Sequence, residues 1–190
     1  MFPFYFIADA SFWLVHGGLM DAVDQAMDGG ARFIQYRDKE STRLASYEKA
    51  KALREITARK GVTFIVNDQV DLAMAVGADG VHLGQEDLPL WAARKVMGTK
   101  GLIGISTHTL PEAICAESEG ADYIGFGPVF ETKTKPDARP PVGLETIIEI
   151  KKQVSIPLYA IGGMTCDQIS VVFGAGADGV AVASALSGSI

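Results

Sequence analysis

The feature that most restricts the fold is a strict alternation of short apolar runs with longer amphipathic stretches. FYFIA is followed by LMDAVDQAMDGG, RFIQYR by TRLASYEKAKALREITARKG, VTFIVN by QVDLAMAVG, and GVHL by LPLWAARKVMG. LIGIS then leads to TLPEAICAESEG, YIGFG to GLETIIEIKKQV, LYAIGG to TCDQISVVFGAG, and GVAVAS closes the series. The pattern predicts eight strands separated by seven helices. Runs such as 62–66 and 179–183 are apolar at successive positions, as expected of parallel strands covered on both faces. Strict alternation implies right-handed crossovers in a parallel sheet, and eight strands suggest closure into a (β/α)8 TIM barrel. An open doubly wound sheet is the alternative. The chain stops at SALSGSI, directly after the eighth run, so the expected barrel lacks its last outer helix. A homodimer covering that flank is the corresponding expectation.

Composition fits one α/β domain spanning 1–190, with 48% hydrophobic residues and 21 glycines. A net charge of −6 with scattered basic residues argues against a nucleic-acid partner. The apolar start MFPFYFIADASFWLV has no basic leader, and Asp9 interrupts it before the roughly 18 residues of a membrane span, so it reads as a buried strand. Cys115 and Cys166 are distant, have no CxxC partner and are expected to be structural, in keeping with a cytoplasmic chain. GGARFI, GADGVH, GADYIG and GADGVA form a weak repeat that joins each helix end to the next strand; it is architecture without chemistry.

In a (β/α)8 barrel, catalytic groups gather at the C-terminal ends of the strands. Gln35, Arg37 and Lys39 alternate at period two and should face the barrel axis. Two inward cations need an anion, either an internal Asp or Glu or a bound phosphate ester. Asp68 and Asp87 at neighbouring strand mouths suit Mg²⁺ beside a diphosphate, although each could equally cap the helix that follows. The glycines of IGGMT precede a helix start, which offers an anion site or merely a tight turn. Ser184 follows the last strand nearby. The loop GPVFETKTKP after the sixth strand brings two hydroxyls and two ammonium groups. His82 reads as a packed strand-end residue, and no Ser or Cys pairs visibly with His108.

FIQYRDK, FIVNDQVDLAMAVGADGVHLGQEDLP, IGISTHT, GFGPVFETKTKPDARPPVGLE, YAIGGMT and GADGVAVASAL occur in this order, and together they resemble the thiamine-phosphate synthase family over nearly the whole chain. The resemblance implies a transferase that joins 4-amino-2-methyl-5-(diphosphooxymethyl)pyrimidine to 4-methyl-5-(2-phosphooxyethyl)thiazole, releasing diphosphate. It implies that Gln35, Arg37, Lys39, Asn67, Ser106 and Lys135 hold the pyrimidine diphosphate. Asp68 and Asp87 would bind Mg²⁺, while Thr132, Lys133, Thr134, Gly163, Ala183 and Ser184 would take the thiazole phosphate. Arg37, Lys39, Ser106 and Lys135 are the expected catalytic groups. Tyr36 replaces the family's usual Leu and should face away from Gln35 and Arg37. The thiazole tautomerases look similar but, as the resemblance implies, lack the paired carboxylates; a non-catalytic thiamine-precursor-binding barrel is the third possibility.

Overall fold

A computed structural model describes residues 4–16, 18–132 and 140–183, and the eight expected strands all lie among them. In chain order the elements are β1 (Phe4–Asp9), α1 (Ala10–Val15), α2 (Leu19–Asp28), β2 (Ala31–Arg37), α3 (Arg43–Lys60), β3 (Thr63–Asn67), α4 (Val70–Val76) and β4 (Gly80–Leu83). They continue with α5 (Leu90–Met97), β5 (Leu102–Thr107), α6 (Leu110–Ser118), β6 (Tyr123–Phe126), α7 (Gly143–Lys151), β7 (Leu158–Ile161), α8 (Cys166–Gly174) and β8 (Gly179–Val182). Each strand pairs in parallel with its successor, and β8 returns to β1 through Phe4–Val180, Tyr5–Ala181 and Phe6–Val182. The sheet is therefore a closed barrel, not an open doubly wound sheet. The position of the expected missing outer helix, after β8, lies outside the described residues.

One element escapes the alternation pattern. The short α1 sits between β1 and α2, where ASFWLV reads as a continuing apolar run. It forms because Asp9 acts as its N-cap, accepting from the N–H groups of Ser11 (3.2 Å) and Phe12 (3.3 Å).

Side-chain parity along the strands divides the interior into two cores. Phe6, Ile34, Phe64, Ile103 and Ile124 point outward beneath the helices and are fully buried there, each contributing roughly 1.5–3 kcal/mol. Tyr36 belongs to this outer layer, as expected. Its hydroxyl donates to Asp38 (2.8 Å), away from Gln35 and Arg37. The inward positions Tyr5, Phe33, Tyr123 and Tyr159 make an aromatic plug, with Tyr5 stacked on Phe33 at 5.3 Å and edge-on to Tyr159 at 5.4 Å. That plug closes the N-terminal half of the barrel and leaves the C-terminal half open.

The GAD repeat has a physical reason. Asp79, Asp122 and Asp178 accept from N–H groups in the first two residues of neighbouring strands, at Phe64 (2.8 Å), Ile103 (2.7 Å) and Leu158 (2.8 Å). Each is also paired with a basic residue of the helix that leads into that neighbouring strand, namely Arg54 of α3, Arg94 of α5 and Lys151 of α7. The repeated aspartate thus joins helix, strand and neighbouring strand at the N-terminal rim, where the fold needs stability and carries no chemistry. Cys115 and Cys166, expected to be structural, are free and exposed, so neither belongs to the core.

Candidate active site

The C-terminal strand ends surround a cavity of about 590 Å³, within the ~300–1,000 Å³ common for small-ligand sites. Gln35, Arg37, Lys39, Asn67, Asp68, Asp87, Ser106, Thr132, Gly163 and Ala183 all line it. Lys133, Thr134, Lys135 and Ser184 lie outside the described residues.

Strand parity turns Gln35 and Arg37 inward from β2, as the period-two spacing predicts, while Lys39 follows just beyond the strand. The cations do not share one anion. Arg37 is paired with Asp9 at the end of β1, a partner that sequence spacing does not reveal. Burial alone would raise the Asp9 carboxyl, but the Ser11 hydroxyl (2.7 Å) and the Arg37 guanidinium overcome it and hold it below its ordinary value. Lys39 instead faces Asp68, Nζ to Oδ2 3.5 Å.

The helix-cap alternative for the two carboxylates fails on geometry. Gln69 and Pro89, not Asp68 and Asp87, occupy the N-cap positions of α4 and α5. Asp68 adopts a left-handed backbone, φ 61°, the one positive φ among the described non-glycine residues. Such a conformation is costly for aspartate and is kept where the surroundings require it. Asp87 accepts from the Gly84 N–H at 2.7 Å, which fixes its carboxyl at the rim. The Asp68 carboxyl is pushed above its ordinary range, first by burial and then by Asp87 within hydrogen-bonding reach, against the pull of Lys39. Two facing carboxylates of this kind are a donor set that a hard cation would relieve. Among the described residues no group of three or more His, Cys, Asp or Glu gathers as a metal cage. A pair fits Mg²⁺, which commonly takes one or two carboxylates and completes its shell with water and phosphate oxygens.

On the opposite side, the loop after β6 is bonded to the loop after β7: Val129 N–H donates to Ile161 O (2.8 Å) and Phe130 N–H to Gly162 O (3.1 Å). Gly162 and Gly163 have φ of +98° and +65°, and a Cβ on Gly163 would lie 2.3 Å from the Glu131 carbonyl oxygen. Turn geometry and close packing therefore explain why glycine stands there. The same packing carries Thr132 and Gly163 to the cavity wall together.

Several cavity residues had weak or no sequence signals. His82, expected as a packed strand-end residue, is buried but also lines the cavity, and its Nε2 lies 2.9 Å from Ser106 Oγ. Gln85 donates to the Ser106 carbonyl (2.7 Å). His108 reaches the rim, its Nδ1 held by the Gly127 carbonyl and its N–H by Glu112 (2.5 Å). Asp9 carried a local signal, an aspartate two residues ahead of serine at a helix start, but its pairing to Arg37 spans 28 residues.

The family model described as thiamine monophosphate synthase matches residues 4–186. The chain belongs to the thiamine monophosphate synthase family. It is 50% identical over 164 residues to the thiamine-phosphate synthase of Chloroflexus aurantiacus, covering 86% of this chain and 76% of that protein. It is 42% identical over 185 residues to the thiamine-phosphate synthase of Clostridium novyi, covering 97% and 90%. Among solved structures, thiamine phosphate pyrophosphorylase from Pyrococcus furiosus superimposes with a TM-score of 0.88 at 41% identity, covering 98% of this chain and 87% of that one. In (β/α)8-barrel enzymes the active site sits at the C-terminal rim, which is where this cavity opens.

Proposed function

We propose that the protein couples 4-amino-2-methyl-5-(diphosphooxymethyl)pyrimidine to 4-methyl-5-(2-phosphooxyethyl)thiazole, giving thiamine phosphate and diphosphate. Family membership supports the reaction, and the single observation that carries the site reading is the facing Asp68–Asp87 pair beside Lys39. A thiazole tautomerase has no diphosphate to neutralise and no use for that pair, and a passive binding barrel does not need it.

In this reading the thiazole nitrogen is the nucleophile, so neither a covalent enzyme intermediate nor a strong base is required. The aminopyrimidine ring is electron-rich enough to carry a benzylic-type cation, which makes the displacement dissociative. The barrier is then set by charge developing on the departing diphosphate, which Arg37, Lys39 and Lys135 would stabilise. Asp68 and Asp87 would hold Mg²⁺, which when bound supplies a Lewis acid toward the diphosphate oxygens. Gln35, Asn67 and Ser106 orient the pyrimidine; Thr132, Lys133, Thr134, Gly163, Ala183 and Ser184 take the thiazole phosphate. The aromatic plug below them closes the cavity floor to water.

We further place this chemistry in a cytoplasmic homodimer with no nucleic-acid or membrane partner. The acidic composition argues against a nucleic-acid partner, and no helix among the described residues is long and apolar enough to cross a membrane. Incubation with both substrates and Mg²⁺ should yield thiamine phosphate and diphosphate together. If neither appears while a thiazole carboxylate isomerises, the tautomerase reading replaces this one; binding without turnover would favour the passive barrel. Sedimentation velocity of the full chain checks the dimer.

A further inference from the structure

Beneath the cavity, five inward side chains from five different strands are joined in an unbroken chain of hydrogen bonds. Gln35 Nε2 donates to Tyr5 OH (2.8 Å), Tyr5 OH meets Tyr123 OH (2.9 Å), Tyr123 OH meets His82 Nδ1 (3.2 Å), and His82 Nε2 meets Ser106 Oγ (2.9 Å). We infer that this chain runs in one direction, from Gln35 to Ser106, and that His82 is a positioning residue which holds Ser106 as a hydrogen-bond donor toward the pyrimidine.

The direction follows from donor accounting. A phenol has one proton. Tyr5 accepts from the Gln35 amide, and the acceptor within reach of its own buried proton is the Tyr123 oxygen. With that bond pointing to Tyr123, the Tyr123 proton goes to His82 Nδ1, whereas the reverse order would leave the Tyr5 proton without an acceptor. That nitrogen then holds a lone pair, which places the neutral imidazole's proton on Nε2, where it is donated to Ser106. The Ser106 hydroxyl accepts there and turns its own proton to the cavity that it lines. Burial pushes both Tyr5 and Tyr123 above the ordinary phenol range, so both keep the protons on which the chain depends.

The same polarity separates this Ser–His pair from a nucleophile and its base. A base must offer a lone pair to the hydroxyl, whereas His82 offers a proton, and its second nitrogen meets a phenol where a hydrolase would place a carboxylate. Ser106 is thereby held to recognise an acceptor nitrogen of the ring and not to attack. The surrounding backbone is shaped for this arrangement. A Cβ on Gly104 would lie 2.1 Å from the Tyr123 ring and 2.5 Å from His82 Nδ1, and one on Gly125 would lie 3.0 Å from His82 Cε1. Glycine at these two inward positions leaves the room that the rings occupy.

The identity of the ligand rests on the synthase reading, but the direction of the chain does not, and the two can be tested apart. In ¹⁵N-histidine NMR of the full chain, assigned by the signals lost in His82→Asn, His82 should carry its proton on Nε2 and none on Nδ1. Tyr123→Phe should raise KM for the pyrimidine diphosphate about tenfold, the worth of one buried hydrogen bond. KM for the thiazole phosphate should not move. Tyr5→Phe should act similarly, and the double variant should be no worse than the more impaired single one, since the groups act as a unit. A proton on Nδ1, unchanged kinetics in Tyr123→Phe, equal rises in both KM values, or multiplicative losses near a hundredfold in the double variant would each overturn the inference. Wild-type protein with the expected tautomer but no coupling activity would sink the synthase reading and leave the relay standing.

Discussion

Replacing Asp9 by Asn and, separately, by Ala should separate its two roles, because its two carboxyl oxygens serve different partners. Oδ1 caps α1 through Ser11 and Phe12, and Oδ2 pairs with Arg37. Asn keeps an oxygen for the cap, and Asn caps helices about as well as Asp. Its amide would turn a donor toward a guanidinium that has only donors, so the Arg37 contact is lost. The paired side chains are 20% and 13% exposed, between the surface limit of about 0–1 kcal/mol and the buried limit of about 3–5. About 2 kcal/mol is therefore expected for Asp9→Asn, and about 1 more for Asp9→Ala through the lost cap. At roughly 2–4 °C per kcal/mol for a chain of this size, Tm should fall by about 4–8 °C in the first variant and a further 2–4 °C in the second. Both variants should lose kcat/KM by about 10–100-fold, since an unanchored Arg37 no longer presents a fixed charge-assisted contact to diphosphate. Differential scanning calorimetry and steady-state assays read the two effects separately. Equal melting of the two variants would refute the cap, and unchanged kcat/KM would refute the anchoring of Arg37. The pH dependence has a definite sign. The folded Asp9 carboxyl lies below its ordinary 3.8, so its stabilisation is present above that value and is lost as pH falls through the folded one. Wild type and Asp9→Asn should accordingly converge in Tm as pH drops below 3.8.

The other site and fold assignments have equally direct tests. Asp87→Ala should abolish Mg²⁺-dependent turnover at every Mg²⁺ concentration tried, and activity retained in the presence of chelator would refute the metal assignment. Gly163→Ala places a Cβ 2.3 Å from the Glu131 carbonyl at φ +65°, so beyond about 1–2 kcal/mol of backbone strain it should displace the loop carrying Thr132 and raise KM for the thiazole phosphate. A rise confined to the pyrimidine diphosphate would contradict that placement. Asp79→Ala removes the acceptor for the Phe64 N–H and the partner of Arg54 at the far rim. It should cost about 2 kcal/mol, or roughly 4–8 °C in Tm, with kcat unaffected.

Strands and most helices were legible because burial imposes local periodicities: continuous apolar runs for strands covered on both faces, and amphipathic stretches between them. The helix α1 was not, since ASFWLV is short and apolar enough to pass for an extension of β1, and only the cap at Asp9 marks the break. The rim residues Gln35, Arg37, Asp68 and Asp87 were legible for a related reason. Charged or amide groups at the ends of buried strands are expensive to leave alone, so their position points to a polar partner, whether internal or bound.

What the sequence did not disclose is pairing at long range. Arg37 could be assigned an anion but not Asp9 as that anion, because inward cations accept either an internal carboxylate or a substrate, and only barrel closure brings β1 beside β2 in the register Asp9–Arg37. His82 is the sharper case. Its strand GVHL is buried at every residue, which hides the parity that would have turned the ring inward, and its two partners lie 24 and 41 residues further along the chain. The signal that was present lay in the glycines of LIGIS and YIGFG. A glycine inside a strand costs stability and usually marks close approach by another group. Gly104 and Gly125 fall at the inward parity, so together they predict a large ring lying over them from a nearby strand, and the ring they accommodate is His82 with Tyr123 beside it.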